Sequence, residues 1–281
     1  MVVAKEGDSG ITQMIVFFLV IAMLWLFTVT PFGDTKEQAL WNVVVVASVG
    51  IFFFSEKLKE FTVIKDTKTF FELFSAGAIL GILVSYIVSI IVGSTGFLWN
   101  LLGSISASKV AELTLEQSFW TILIQPLSET ILYVPILLFL VSFLKSRTGS
   151  FSKPLALFFA SIIFASLHFL AFGSGDFERS LSGFIEFIGS PNGAFPQLLL
   201  GVGWGILILG FKNWVIGFGA HFSNNLFYIY GLLSDPTLVI AEDVRAFILI
   251  ATVSTALIVI ITFFFTRLRI INNFSIKEVI V

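Results

Sequence analysis

The chain contains no cysteine. A disulfide framework, a thiolate metal site and a cysteine nucleophile are therefore excluded. It is also short of charge. Asp, Glu, Lys and Arg make up 12% of its 281 residues, about half the share of a soluble domain. A net charge of −2 offers no basic surface for nucleic acid, so no nucleic-acid partner is expected. Histidine occurs twice, as His168 and His221. No internal repeat or low-complexity tract is evident. What the chain does have is apolar length. It is 57% hydrophobic, with a mean hydropathy of +1.01.

That length divides into runs long enough to cross about 30 Å of hydrocarbon at about 1.5 Å per residue. Eight are expected: residues 11–30, 38–55, 73–92, 118–144, 154–172, 196–211, 214–233 and 246–266. The first is read as a retained helix and not a leader, because it is long, lacks a basic start and ends at Pro31-Phe32-Gly33-Asp34. The expected architecture is an all-α polytopic bundle. Residues 1–281 form a single integral membrane domain whose first partner is the lipid bilayer. Lys and Arg test the count. With the N-terminus inside, 12 fall on inside segments and 4 on outside ones. Eight spans with both termini cytoplasmic keep that alternation, and seven or nine would break it. The connection 173–195 is expected outside. Phe177, Leu181, Phe184, Ile185 and Ile188 recur there at helical spacing, which predicts a short interfacial helix. It would cover the bundle or act as a lid.

Within this apolar chain a few polar groups stand out. Glu129 is the sole acidic or basic side chain of the run 118–144. At membrane depth such a group costs several kcal/mol unless it has partners. His168 and His221 also fall in long apolar runs. Glu129 and His168 each lie 15 residues from the inner end of their run, so their depths match. His221 and Asn225 are four apart and share a helix face. A carboxylate base, an imidazole beside it and two groups able to hold a developing oxyanion make a usable hydrolytic set. Each has a plainer reading as well, as polar glue between helices. Tyr133, four residues from Glu129, is either packing or a hydroxyl that reaches the carboxylate.

These residues fall into three motifs on separate helices. They are Pro126-Leu127-Ser128-Glu129-Thr130-Ile131-Leu132-Tyr133-Val134, Phe164 with His168, and His221 with Asn225. Together they resemble the intramembrane CAAX prenyl protease and bacteriocin-processing (CPBP, Abi) family over a core of about residues 118–233. The resemblance implies an endopeptidase. Glu129 and His168 would activate water, and His221 and Asn225 would stabilise the tetrahedral intermediate. The substrate would be a peptide or membrane protein. No cofactor is expected. In a metalloenzyme, Glu129, His168 and His221 would instead bind zinc, although the His-Glu-x-x-His spacing is absent. The family's second glutamate is Thr130 here and its arginine is Val134. That departure leaves open a catalytically impaired relative serving as a membrane scaffold or assembly subunit. A proton-coupled transporter is the third reading.

Overall fold

The computed structural model describes residues 61, 64–92, 114–171, 181–190, 194–233 and 240–280. The expected spans 11–30 and 38–55 lie outside them. All the regular structure among the described residues is helical. Helix α1 is Thr67–Ile91, and α2 is the short Leu115–Phe119. A π-helical turn, Trp120–Ile124, leads from α2 into α3, Gln125–Thr148. A 3-10 turn, Gly149–Phe151, leads into α4, Ser152–Ala171. Then come α5 (Leu181–Gly189), α6 (Phe195–Phe211), α7 (Trp214–Leu232) and α8 (Glu242–Thr266). A 3-10 turn, Arg269–Asn273, and α9, Lys277–Ile280, end the described chain.

Among the described residues, three helical stretches are long and apolar enough to cross a membrane: Thr67–Ile91, Thr121–Ser166 and Glu242–Thr266. The second contains all of α3 and most of α4. Helix α6, at 17 residues, is apolar but shorter. Helix α1 begins six residues before the expected 73. The physical reason is a cap: the Asp66 carboxylate accepts from the Thr69 amide at 2.6 Å, satisfying one of the orphan donors of the first turn.

The π turn has a cause in the sequence. Pro126 has no N–H and its ring crowds the carbonyl four residues back, so regular α spacing cannot run through it. The helix type therefore changes just before the proline. Pro135 sits within α3 without ending it.

The core is built around α7. Helices α1 and α7 pack closely and run parallel. Gly77, Gly81 and Ser85 of α1 meet Ile216, Ala220 and Asn224 of α7 in successive turns. A Cβ at Gly77 would run into the Ile216 carbonyl, and one at Gly219 into the Phe74 carbonyl. The Ser85 hydroxyl donates to Asn224 Oδ1 at 2.6 Å. Gly-x-x-x-Gly stripes of this kind let helix backbones approach where hydrophobic burial offers little drive between membrane helices. The glycines of α6 act similarly on other neighbours. Gly201 faces Ser161, Gly205 faces Leu157 and Tyr133, and Gly203 faces Val84. The α6–α7 turn is only two residues long. Lys212 takes a left-handed conformation at φ 51°, and the Asn213 side chain caps α7 by accepting from the Val215 amide at 3.0 Å.

Lys153 and Lys212 both pair with Glu278, at 3.5 and 3.1 Å. Phe274 packs on Phe211, and the Ser275 amide donates to the Gly210 carbonyl at 3.1 Å. The α3–α4 turn, the α6–α7 turn and the tail after α8 therefore share one end of the bundle. The Lys212 ammonium holds the Glu278 carboxyl below its ordinary value of 4.5. A depressed carboxylate stabilises above its unfolded pKa and loses that contribution as pH falls through the folded value. The pair is more than a third exposed, and solvent screening limits it to less than about 1 kcal/mol. Glu278→Gln is expected to lower the thermal midpoint slightly at pH 7 and not at all near pH 3, as read by thermal shift in detergent.

Candidate active site

Glu129 and His221 meet. Glu129 Oε2 lies 3.5 Å from His221 Nε2, with 19% of the glutamate side chain and 4% of the histidine side chain exposed. Glu129 comes from the second turn of α3 and His221 from the middle of α7. Neither position is near the other in sequence. The other carboxylate oxygen, Oε1, accepts from Gln125 Nε2 at 2.7 Å. The two oxygens of one carboxylate thus face different neighbours. Gln125 was missed by the sequence reading, although its place four residues before Glu129 on the same helix face was a visible signal.

His221 is enclosed by aromatic rings. Trp204 of α6 stacks on it with ring centroids 4.0 Å apart and planes 22° apart. Phe164 of α4 presents an edge to it at 6.2 Å and another to Trp204 at 5.7 Å. Phe164 is thus part of the wall that holds the imidazole. Nothing in the sequence pattern singled out Trp204. It stands among the glycines of α6. Its Nε1 is buried and has no hydrogen-bond partner among the described residues.

Asn225, one turn beyond His221, donates from Nδ2 to the Thr121 carbonyl at 3.0 Å. Thr121 is in the π turn. At π spacing, the amide that would meet this carbonyl belongs to Pro126, which has no N–H. Asn225 supplies the missing donor and ties α7 to the turn that precedes Glu129. A primary amide carries two hydrogens, so one N–H remains beyond this bond. Asn224 points the other way, to Ser85 of α1. The two adjacent asparagines thus fasten α7 to two different helices.

His168 lies on α4, four residues after Phe164; its side chain falls outside the described part of the structure. Tyr133 does not reach towards Glu129. Its hydroxyl donates to the Gly201 carbonyl at 2.8 Å and lies 3.2 Å from Ser161 Oγ. It is fully enclosed between α3, α4 and α6, and its role is packing. Thr130 and Val134 are buried, at 4% and 2% exposure. Thr130 lies against Gly217 of α7, and Val134 belongs to the main apolar core.

Helix α5 packs against α4 and the start of α6. Phe187 packs with Ala165 of α4 and with Ala194 and Leu198 beside it. The Ala194 amide closes the loop by donating to the Phe187 carbonyl at 2.8 Å. The sequence reading placed Ile185 on the apolar stripe and did not include Phe187. In the structure Phe187 is the buried residue and Ile185 is exposed. The expected residue Phe177 lies outside the described residues.

Residues 111–227 match the family described as type II CAAX prenyl endopeptidase Rce1-like. No curated protein and no solved structure matches the chain. The matched stretch spans α2 to α7 and contains Glu129, Phe164, His168, His221 and Asn225. The match is a likeness to CAAX-type endopeptidases over under half of the chain, and with the long apolar helices it supports an integral membrane protein.

Proposed function

We propose that this Rce1-like chain is an intramembrane endopeptidase that hydrolyses a peptide bond with a Glu129-activated water. The observation that carries the reading is the 3.5 Å approach of Glu129 to His221. It joins the first and third motifs across two helices inside an aromatic enclosure. In the proposed step, Glu129, assisted by His168, takes a proton from water as the water oxygen bonds to the scissile carbonyl carbon. His221 and the second N–H of Asn225 hold the resulting oxyanion. The carbon–nitrogen bond then breaks, and the proton on Glu129 passes to the leaving amine. Both termini and the end of the bundle bearing Lys153, Lys212 and Glu278 are assigned to the cytoplasmic side, on the excess of basic residues there.

The same 3.5 Å separation also suits two ligands of one tetrahedral zinc, whose nitrogen and oxygen donors each lie about 2 Å from the metal. In that second reading His168 is the third ligand. The zinc would supply a Lewis acid and an activated water.

The test is cleavage by the purified protein in micelles or vesicles. Substrates should include a prenylated C-terminal peptide and unmodified single-span membrane peptides. Site-specific products that chelator leaves unchanged support the metal-free hydrolase. Loss on chelation with recovery on zinc favours the second reading. An inert wild type across the panel argues for the scaffold, a role that Thr130 and Val134 in place of the family's glutamate and arginine would suit.

A further inference from the structure

We infer that Gln125 is the positioning residue for Glu129, and that it takes over the orienting task left by the departures at Thr130 and Val134. The inference rests on the hydrolytic reading above and names how its base is held. A carboxylate on a helix can rotate about its side-chain bonds, and about 1 Å of misplacement can cost about 100-fold in rate. In the family pattern, charged residues follow the first glutamate. Here both positions are buried in packing. Thr130 is turned against Gly217, and Val134 is packed in apolar core.

The contact with Gln125 comes from the opposite direction, one turn earlier. At 2.7 Å it is within the range of a charge-assisted hydrogen bond. It holds Oε1 and leaves Oε2 turned to His221. Gln125 is itself set in place. It is the first residue after the π turn, and that turn is fastened to α7 by Asn225 through the Thr121 carbonyl. His221 and Asn225, one turn apart on α7, therefore touch α3 and its leading turn at two points on either side of Gln125. The geometry divides the work: Asn225 fixes the turn, the turn presents Gln125, and Gln125 aims the carboxylate.

The experiment compares the wild type with Gln125→Met, which keeps length and loses the donor, and Gln125→Glu, which replaces the donor with an acceptor. Each is followed by kcat, KM and thermal midpoint on a cleavable membrane peptide. Gln125→Met is expected to lower kcat by about 10- to 100-fold, with KM within about twofold and the midpoint unchanged. Gln125→Glu is expected to be at least as damaging. An unchanged kcat, or a loss confined to KM or tracking a fall in midpoint, overturns the proposal. A readout without turnover separates this from the hydrolytic reading. The Glu129 carboxylate band can be isolated as the infrared difference between wild type and Glu129→Gln. It is expected to shift in Gln125→Met even where no substrate is cleaved. A band that stays in place shows that Gln125 does not hold the carboxylate.

Discussion

Glu129→Gln is expected to reduce peptide hydrolysis by about 100-fold or more while leaving the bundle folded. The substitution is nearly isosteric. Its amide oxygen can still accept from Gln125, and its amide nitrogen can still face His221. What it cannot do is accept a proton from water. General-base catalysis contributes about 10²- to 10⁴-fold, and that contribution is the part removed. The stability effect runs separately. Glu129 is mostly buried, and a neutral amide has less to lose than a carboxylate on leaving water. The thermal midpoint is therefore expected to stay equal or rise. Rate and stability should move apart, which is the mark of a group kept for chemistry. Equal turnover by Glu129→Gln and wild type would remove Glu129 from the role of base. A large fall in midpoint would instead make it a structural residue. His221→Ala is the contrasting variant. It removes both the contact with Glu129 and the ring on which Trp204 stacks, so it should lose activity and stability together.

Much of this arrangement is legible in the sequence, and the reason is the cost of polar groups in hydrocarbon. One carboxylate and two histidines in long apolar runs needed partners, and Glu129 and His221 found each other. The fourfold spacing of His221 and Asn225 correctly put both on one face of α7. Where the reading stopped, the missing information was spatial. Gln125 is ordinary as a residue type and gains meaning only from the direction in which its amide points. Trp204 is one of six tryptophans; only the packing of α6 against α7 shows it lying over an imidazole. The hydroxyl of Tyr133 could have reached the Glu129 carboxylate, and it bonds to the Gly201 carbonyl instead. The π turn was half visible. Pro126 announced a break in the hydrogen-bond ladder, but not that Asn225 would take up the freed carbonyl.

The largest structural effect is expected at Gly81, a position the sequence reading passed over. Gly77-Ala78-Ile79-Leu80-Gly81 is a small-residue stripe in α1. Its partner is the helix that carries His221 and Asn225. In an exposed helix interior, Gly→Ala stabilises by about 1 kcal/mol, because alanine has the better helix propensity. Here the sign should reverse. A Cβ at Gly81 would lie 2.5 Å from both the Cα and the carbonyl oxygen of Ala220. Those atoms are backbone and cannot rotate aside, so α1 and α7 must separate. Overpacking of a close-fitting core costs about 1–3 kcal/mol, and a contact with backbone belongs at the upper end. Separation also lengthens the buried Ser85–Asn224 bond, worth about 1 kcal/mol more. Gly81→Ala is therefore expected to destabilise by about 3 kcal/mol, and Gly81→Val to prevent assembly of α1 on α7. Gly203 supplies the internal comparison. The atoms its Cβ would meet belong to the Val84 side chain and not to backbone, so Gly203→Ala should cost less, though the stiff valine keeps it destabilising. Unfolding in mixed micelles gives both values under one condition. If Gly81→Ala proves neutral or stabilising, the close α1–α7 approach is not what holds the helix bearing His221 and Asn225 in place.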